Sequence, residues 1–133
     1  MKEFHLQIVT PDGIVFDAAA ESLLARTECG DVEILAGHTD LFASLGIGRA
    51  RIKTADGIKN ASSAGGFLSV SGGEVKLVAT TFEFQESIDI ERAKAAKANA
   101  EEKLKTAKNN KEIDVAKAKL ARAINRIRVK ELK

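Results

Sequence analysis

The chain has 133 residues, a net charge of +2, and 44% hydrophobic and 30% charged residues. It is too apolar and too nearly neutral to be disordered, and it is long enough to bury a core. No apolar run approaches the ~18–20 residues of a membrane span.

Met1-Lys2-Glu3-Phe4 begins without the apolar stretch of a signal peptide. A single cysteine, Cys29, excludes an internal disulfide and fits a reducing compartment; with only two histidines beside it, a zinc site has almost no ligands. Phe4, Leu6 and Ile8 alternate with His5, Gln7 and Val9, the period of a strand with one buried face. Pro11-Asp12-Gly13 predicts a turn and Ile14-Val15-Phe16 a new strand. Strand-like runs at 22–27 and 32–35 flank Cys29-Gly30-Asp31. Runs at 49–54 and 58–61 flank Ala55-Asp56-Gly57, an Asp-Gly hairpin signal. Runs at 67–70 and 75–79 flank Ser71-Gly72-Gly73. Many short strands at regular spacing predict a sandwich or barrel.

Beyond residue 85 the pattern changes. Ser87 reads as a helix N-cap, with Asp89 and Glu91 in the first turn. Ile90, Ala93, Ala96, Ala100, Leu104 and Ala107 recur at the helical period. Asn109-Asn110 interrupts it as a left-handed C-cap. A second stripe runs through Ile113, Ala116, Leu120, Ala123 or Ile124, and Ile127. Two helices with a short connection predict an antiparallel hairpin. Its alanine seam buries little area, so the hairpin is expected to be marginal alone, needing a surface to lie on, and a candidate mobile element. Every glycine, phenylalanine and histidine precedes position 86. Residues 1–85 carry seven basic and eleven acidic side chains, and residues 86–133 carry fourteen and eight. The chain thus reads as a β domain over 1–85 and a basic helical domain over 86–133.

Catalytic constellations are missing from the sequence. No phosphate-binding loop motif occurs, and Gly46-Ile47-Gly48 lacks the strand–loop–helix context that such a loop needs. Ser62, Ser63 and Ser69 have no histidine at suggestive spacing. His38 reads as a loop or core histidine bonded to the backbone, His5 as an outward strand residue, and Cys29 as a turn-flanking hydrophobe.

Four motifs then stand in order: Val9-Thr10-Pro11-Asp12-Gly13; Gly30-Asp31-Val32-Glu33-Ile34-Leu35-Ala36-Gly37-His38; Leu41 with Leu45 and Gly48; and Gly65-Gly66-Phe67-Leu68-Ser69-Val70. Together with the basic hairpin they resemble the epsilon subunit of the bacterial F-type ATP synthase over essentially the whole chain. Glu33, Ala36 and Asp40 depart from the family's usual Gly, Pro and Pro. The resemblance implies an α+β, two-domain chain: an N-terminal ten-stranded β-sandwich followed by a C-terminal antiparallel helical hairpin. It implies a non-catalytic rotor subunit that couples ion flow to ATP synthesis and needs no cofactor. Its partners would be the gamma subunit, the c-ring, and the alpha and beta subunits of the catalytic head. It would lie at the cytoplasmic face of the bacterial membrane, held there only through the complex. The hairpin would inhibit ATP hydrolysis when extended.

Ile88-Asp89-Ile90-Glu91-Arg92-Ala93 is similar to the sequence by which some epsilon subunits bind ATP as a regulatory ligand. The resemblance implies that Glu83, Ile88, Asp89 and Ala93 surround the adenine and that Arg92, Arg122 and Arg126 hold the phosphates. Asn99 stands where a further arginine is expected. Two alternatives compete. A nucleic-acid-binding module could use the basic hairpin, but this has no aromatic residue for base stacking, and its acids dilute the field. A ligand-binding sandwich enzyme lacks a convergent acid–base set.

Overall fold

A computed structural model of the chain describes residues 2–132. Ten strands form two five-stranded sheets. They are β1 (Phe4–Thr10), β2 (Gly13–Ala20), β3 (Ser22–Thr27), β4 (Gly30–Leu35), β5 (Leu41–Ser44), β6 (Gly48–Thr54), β7 (Gly57–Ala64), β8 (Phe67–Ser71), β9 (Glu74–Val78) and β10 (Thr81–Phe84). The first sheet has the order β2-β1-β9-β8-β5 and the second β10-β7-β6-β3-β4. Among the described residues, β1 and β9 pair in parallel and the other strand pairs are antiparallel. The expected sandwich is present. The strand pattern in the sequence shows neither β5 nor β10; each has four residues and lies on a sheet edge. Two cycles of alternation are too few to stand out without a neighbouring strand.

The period-two residues form the core. Leu6 and Ile8 on β1, Leu68 on β8 and Leu77 on β9 come from one sheet; Leu23, Ile34 and Ile52 come from the other. Each such side chain contributes ~1.5–3 kcal/mol by leaving water. Three hairpins share one turn device. In Thr10-Pro11-Asp12-Gly13, Thr27-Glu28-Cys29-Gly30 and Thr54-Ala55-Asp56-Gly57, the threonine hydroxyl accepts from the N–H two residues on, at 3.2 Å each time. It also donates to the glycine carbonyl three residues on, at 3.3, 2.6 and 3.4 Å. These bonds satisfy backbone groups that the strand ladder leaves open at the turn.

By chain contacts the molecule divides into compact units at Met1–Phe84 and Gln85–Lys133. The second unit starts with a 3-10 turn, Gln85–Ser87, followed by α1 (Ile90–Thr106) and α2 (Asn110–Lys130), which pack against each other. Two sequence expectations are corrected here. Ser87 lies inside the 3-10 turn, which Ile88 N closes onto Gln85 O at 3.3 Å, so the chain becomes helical only after Asp89. Asp89 is the N-cap, and its carboxylate accepts from Arg92 N at 3.1 Å. Asn109 is not a left-handed C-cap: its backbone is extended, and it caps the start of α2 by accepting from Glu112 N at 2.9 Å. Glu112 reaches back to accept from Lys108 N, the residue before the cap, at 2.7 Å, so two side-chain bonds hold the connection. The buried alanines, Ala93 and Ala100 on α1 and Ala116 and Ala123 on α2, stand at matching distances from the connection.

Gly66 tests the packing of the sandwich. It has φ +92, and a Cβ there would sit 1.8 Å from the carbonyl oxygen of Val78. Gly13 has φ +123 with nothing within 4 Å of a Cβ. Gly66→Ala is expected to cost about 3 kcal/mol or more, from strain and overlap together, and Gly13→Ala about 1–2 kcal/mol from strain alone. Urea denaturation of the full chain checks this; equal losses would show that the Val78 backbone yields.

Candidate functional site

The residues expected at a nucleotide site fall in three places. Ile88, Asp89, Arg92 and Ala93 surround the start of α1; Ile88 and Ala93 are buried, while Asp89 and Arg92 are exposed. Arg122 and Arg126 stand one turn apart on the C-terminal half of α2 and are half-buried. Gln85, ahead of α1, is hydrogen-bonded to Lys130 and Leu132 at the end of α2, so the start of α1 and the end of α2 form one end of the hairpin. The fold thereby brings Arg92 to the same end as Arg122 and Arg126. Glu83 lies in the other unit, on β10, in register with Ser62 of β7. Asp89 is already committed as the cap of α1, which leaves its second carboxylate oxygen for other donors.

At the opposite end of the hairpin a groove of about 610 Å³ opens at the α1–α2 connection, with Lys103, Lys108, Lys111 and Lys119 around it. None of the expected nucleotide residues lines it. Among the described residues no group of three His, Cys, Asp or Glu could hold a metal ion. No helix among them is long and apolar enough to cross a membrane.

The sandwich carries two surface features on the outer face of its first sheet. The first is a polar clamp. His5 on β1 is held between Asp17 of β2, on its Nε2, and Glu74 of β9, at 2.6 Å from Nδ1. Gln7 also donates to Asp17, at 3.4 Å. The hydrogen bonds to Asp17 and then Glu74 raise the His5 pKa above 6.5, and the bond from His5 lowers that of Asp17 below 3.8. The second is an apolar row. The register aligns Ile14, Val9, Val78 and Phe67 across four strands, and Phe42 stacks on Phe67 with ring centroids 5.1 Å apart. Ile14 and Phe42 remain 60% and 69% exposed. Sequence reasoning missed the clamp because Asp17 and Glu74 become neighbours of His5 only through strand register. His38, by contrast, is bonded to the backbone as expected, its Nδ1 lying 2.7 Å from Thr39 O. Two departures from the family pattern have local partners: Glu33 accepts from Arg51 at 3.1 Å, and Asp40 accepts from Gly72 N at 3.2 Å.

Comparison with known proteins agrees with this architecture. Residues 3–85 match the family model of the ATP synthase delta/epsilon chain β-sandwich domain, and residues 86–131 match its long α-helix domain. The ATP synthase epsilon chain of Bacillus velezensis is 43% identical over 129 residues, covering 97% of this chain and 98% of that one. The epsilon chain of Staphylococcus aureus is 37% identical over 134 residues, covering all of both. A chain in the cryo-EM structure of the Euglena gracilis mitochondrial ATP synthase shares the fold at TM-score 0.79 and 21% identity, over 90% of this chain and 76% of its own length. One from Tetrahymena thermophila does so at TM-score 0.65 and 11% identity, over 97% of both. The chain belongs to the ATP synthase delta/epsilon family, as a bacterial F-type epsilon subunit.

The His5 clamp has a defined pH signature. Because the folded state raises the His5 pKa, this contribution to stability is complete below about pH 6.5 and is lost as pH rises through the raised value. The Asp17 contribution is complete above about pH 3.8 and is lost as pH falls through its lowered value. The stability gap between the natural chain and His5→Gln is therefore expected to be larger at pH 5.5 than at pH 8.5. Denaturation midpoints at the two pH values measure it, and a gap independent of pH would rule the clamp out.

Proposed function

We propose that this epsilon subunit is a non-catalytic regulator that turns with the central stalk, docking through its sandwich on the gamma subunit and the c-ring and restraining ATP hydrolysis through its hairpin. The observation that carries this reading is the tandem match of sandwich and helical domain, end to end, with bacterial epsilon chains. The Euglena structure is described as containing F1 and the c-ring, and that from Tetrahymena as a central stalk and c-ring. The physical features fit such a role. The exposed row from Ile14 to Phe42 offers apolar area for a protein partner. The basic hairpin suits acidic surfaces on the alpha and beta subunits of the catalytic head. Its alanine seam holds the helices by little buried area, which favours movement. The subunit lies at the cytoplasmic face of the bacterial membrane, held through the assembled complex, and serves the coupling of ion flow to ATP synthesis.

ATP is the regulatory ligand of this reading. Arg92, Arg122 and Arg126 offer planar guanidinium forks for phosphate oxygens at one end of the hairpin. Asp89, at the same end of the hairpin, adds a hydrogen-bond acceptor for the nucleotide through the carboxylate oxygen that the cap of α1 leaves over. ATP bound only to the closed hairpin disfavours the inhibitory state by the same free energy that the closed state gives to ATP.

Deleting residues 87–133 is expected to leave a folded sandwich that still joins the stalk and to raise ATP hydrolysis by the assembled enzyme. Unchanged hydrolysis would refute the inhibitory role. Arg92→Ala and Arg126→Ala are each expected to weaken ATP binding to the isolated chain by ~10-fold or more. Calorimetry that detects no binding to the natural chain at millimolar ATP would remove the ligand from this reading.

A further inference from the structure

At one end of the hairpin, the segment ahead of α1 and the end of α2 are tied by a reciprocal set of hydrogen bonds. The carbonyls of the last turn of a helix have no partner within it. At the end of α2, Glu131 N turns back to Ile127 O and Leu132 N to Val129 O, both at 3.1 Å. The carbonyls of Lys130 and Leu132 accept instead from a residue 45 and 47 positions earlier, through the Gln85 side-chain amide. Lys130 Nζ in turn donates to Gln85 O at 3.1 Å, the same oxygen that accepts from Ile88 N. Each residue therefore caps the other's turn.

We infer that Gln85 and Lys130 form a clasp that sets how readily the hairpin opens, an inference that rests on the regulatory reading of the hairpin above. The seam between the helices is built on Ala93, Ala100, Ala116 and Ala123, which bury little area each. Ile88 and Val129 are the larger side chains buried beside that seam, at the end of the hairpin where the clasp lies, so the polar bonds and this apolar contact act together there. The Lys130 bond is charge-assisted, and the ammonium sits at the negative end of the α2 dipole. Each bond of this kind shifts a two-state balance roughly three- to tenfold. The clasp also keeps the last residues of α2 occupied. They become available to another surface only after Gln85 lets go.

Amide hydrogen exchange on the full chain tests the clasp, because it reads rare opening directly. In Gln85→Ala and in Lys130→Met, protection of the Ala93 and Ala123 amides is expected to fall ~3–10-fold, with the Leu6 and Leu77 amides of the sandwich unchanged. Gln85→Glu keeps the size of the side chain but turns a carboxylate toward two carbonyl oxygens, and is expected to lower protection at least as far. The double variant Gln85→Ala/Lys130→Met is expected to lose less than the two single losses combined, since both act through one clasp. Unchanged protection in all variants overturns the inference, as does equal loss in the sandwich, which would mark global destabilisation. The measurement does not use ATP hydrolysis. A failed truncation test leaves the clasp standing, and a failed exchange test leaves the inhibitory role standing.

Discussion

Side chains on β1 point alternately to two faces, and the sandwich is organised about that alternation. Phe4, Leu6 and Ile8 enter the core while His5, Gln7 and Val9 face outward. A slip of one residue would exchange the two sets, placing an imidazole and an amide in an apolar interior, so the register has no low-energy alternative. The strand is also the point of non-local closure. It pairs with β2 through a tight turn and with β9 in parallel, bringing residues 5–9 against 74–78. The entropy of closing so long a loop grows only slowly with its length, and burial of Leu6, Ile8, Val75 and Leu77 offsets it.

The helical unit is held by different means. Its buried positions are mostly alanines, and the large, fully buried side chain is Val129 near its C-terminus. What the unit lacks in apolar area it makes up in end chemistry: Asp89 and Asn109 as N-caps, Glu112 reaching back, and the Gln85–Lys130 pair at the far end. Such bonds are directional and local, and each contributes on the order of 1 kcal/mol. A unit stabilised in this way can be rearranged by modest changes in ligand or partner, whereas the sandwich core cannot. This contrast in energetics supports a fixed docking domain and a movable regulator.

The charges follow the same division. The sandwich is slightly acidic and pairs its charges across strands, as in Arg26 with Asp31 and Arg51 with Glu33. The helical unit keeps an excess of Lys and Arg, including the arginines at the end of the hairpin where α1 starts. Surface pairs of this type contribute little to stability. An excess of one sign of charge on a unit acts instead on association, steering it toward surfaces of opposite charge.

The sequence alone determined the two-part organisation and the core face of most strands. Periodicity and composition are local properties, and a strand or helix of ordinary length displays them without its neighbours. Edge strands β5 and β10 were too short to display them. Other features depended on which residues meet across the fold. Ser87 and Asp89 are both acceptable caps in sequence, and the 3-10 turn closed onto Gln85 decided for Asp89. Asn109 suits either end of a helix, and its extended backbone made it the cap of α2. His5 gained Asp17 and Glu74, and Gln85 gained Lys130 and Leu132, from positions 12 to 69 residues away. No local pattern encodes these pairings, since the free energy that selects them comes from burial of the core and the register it imposes.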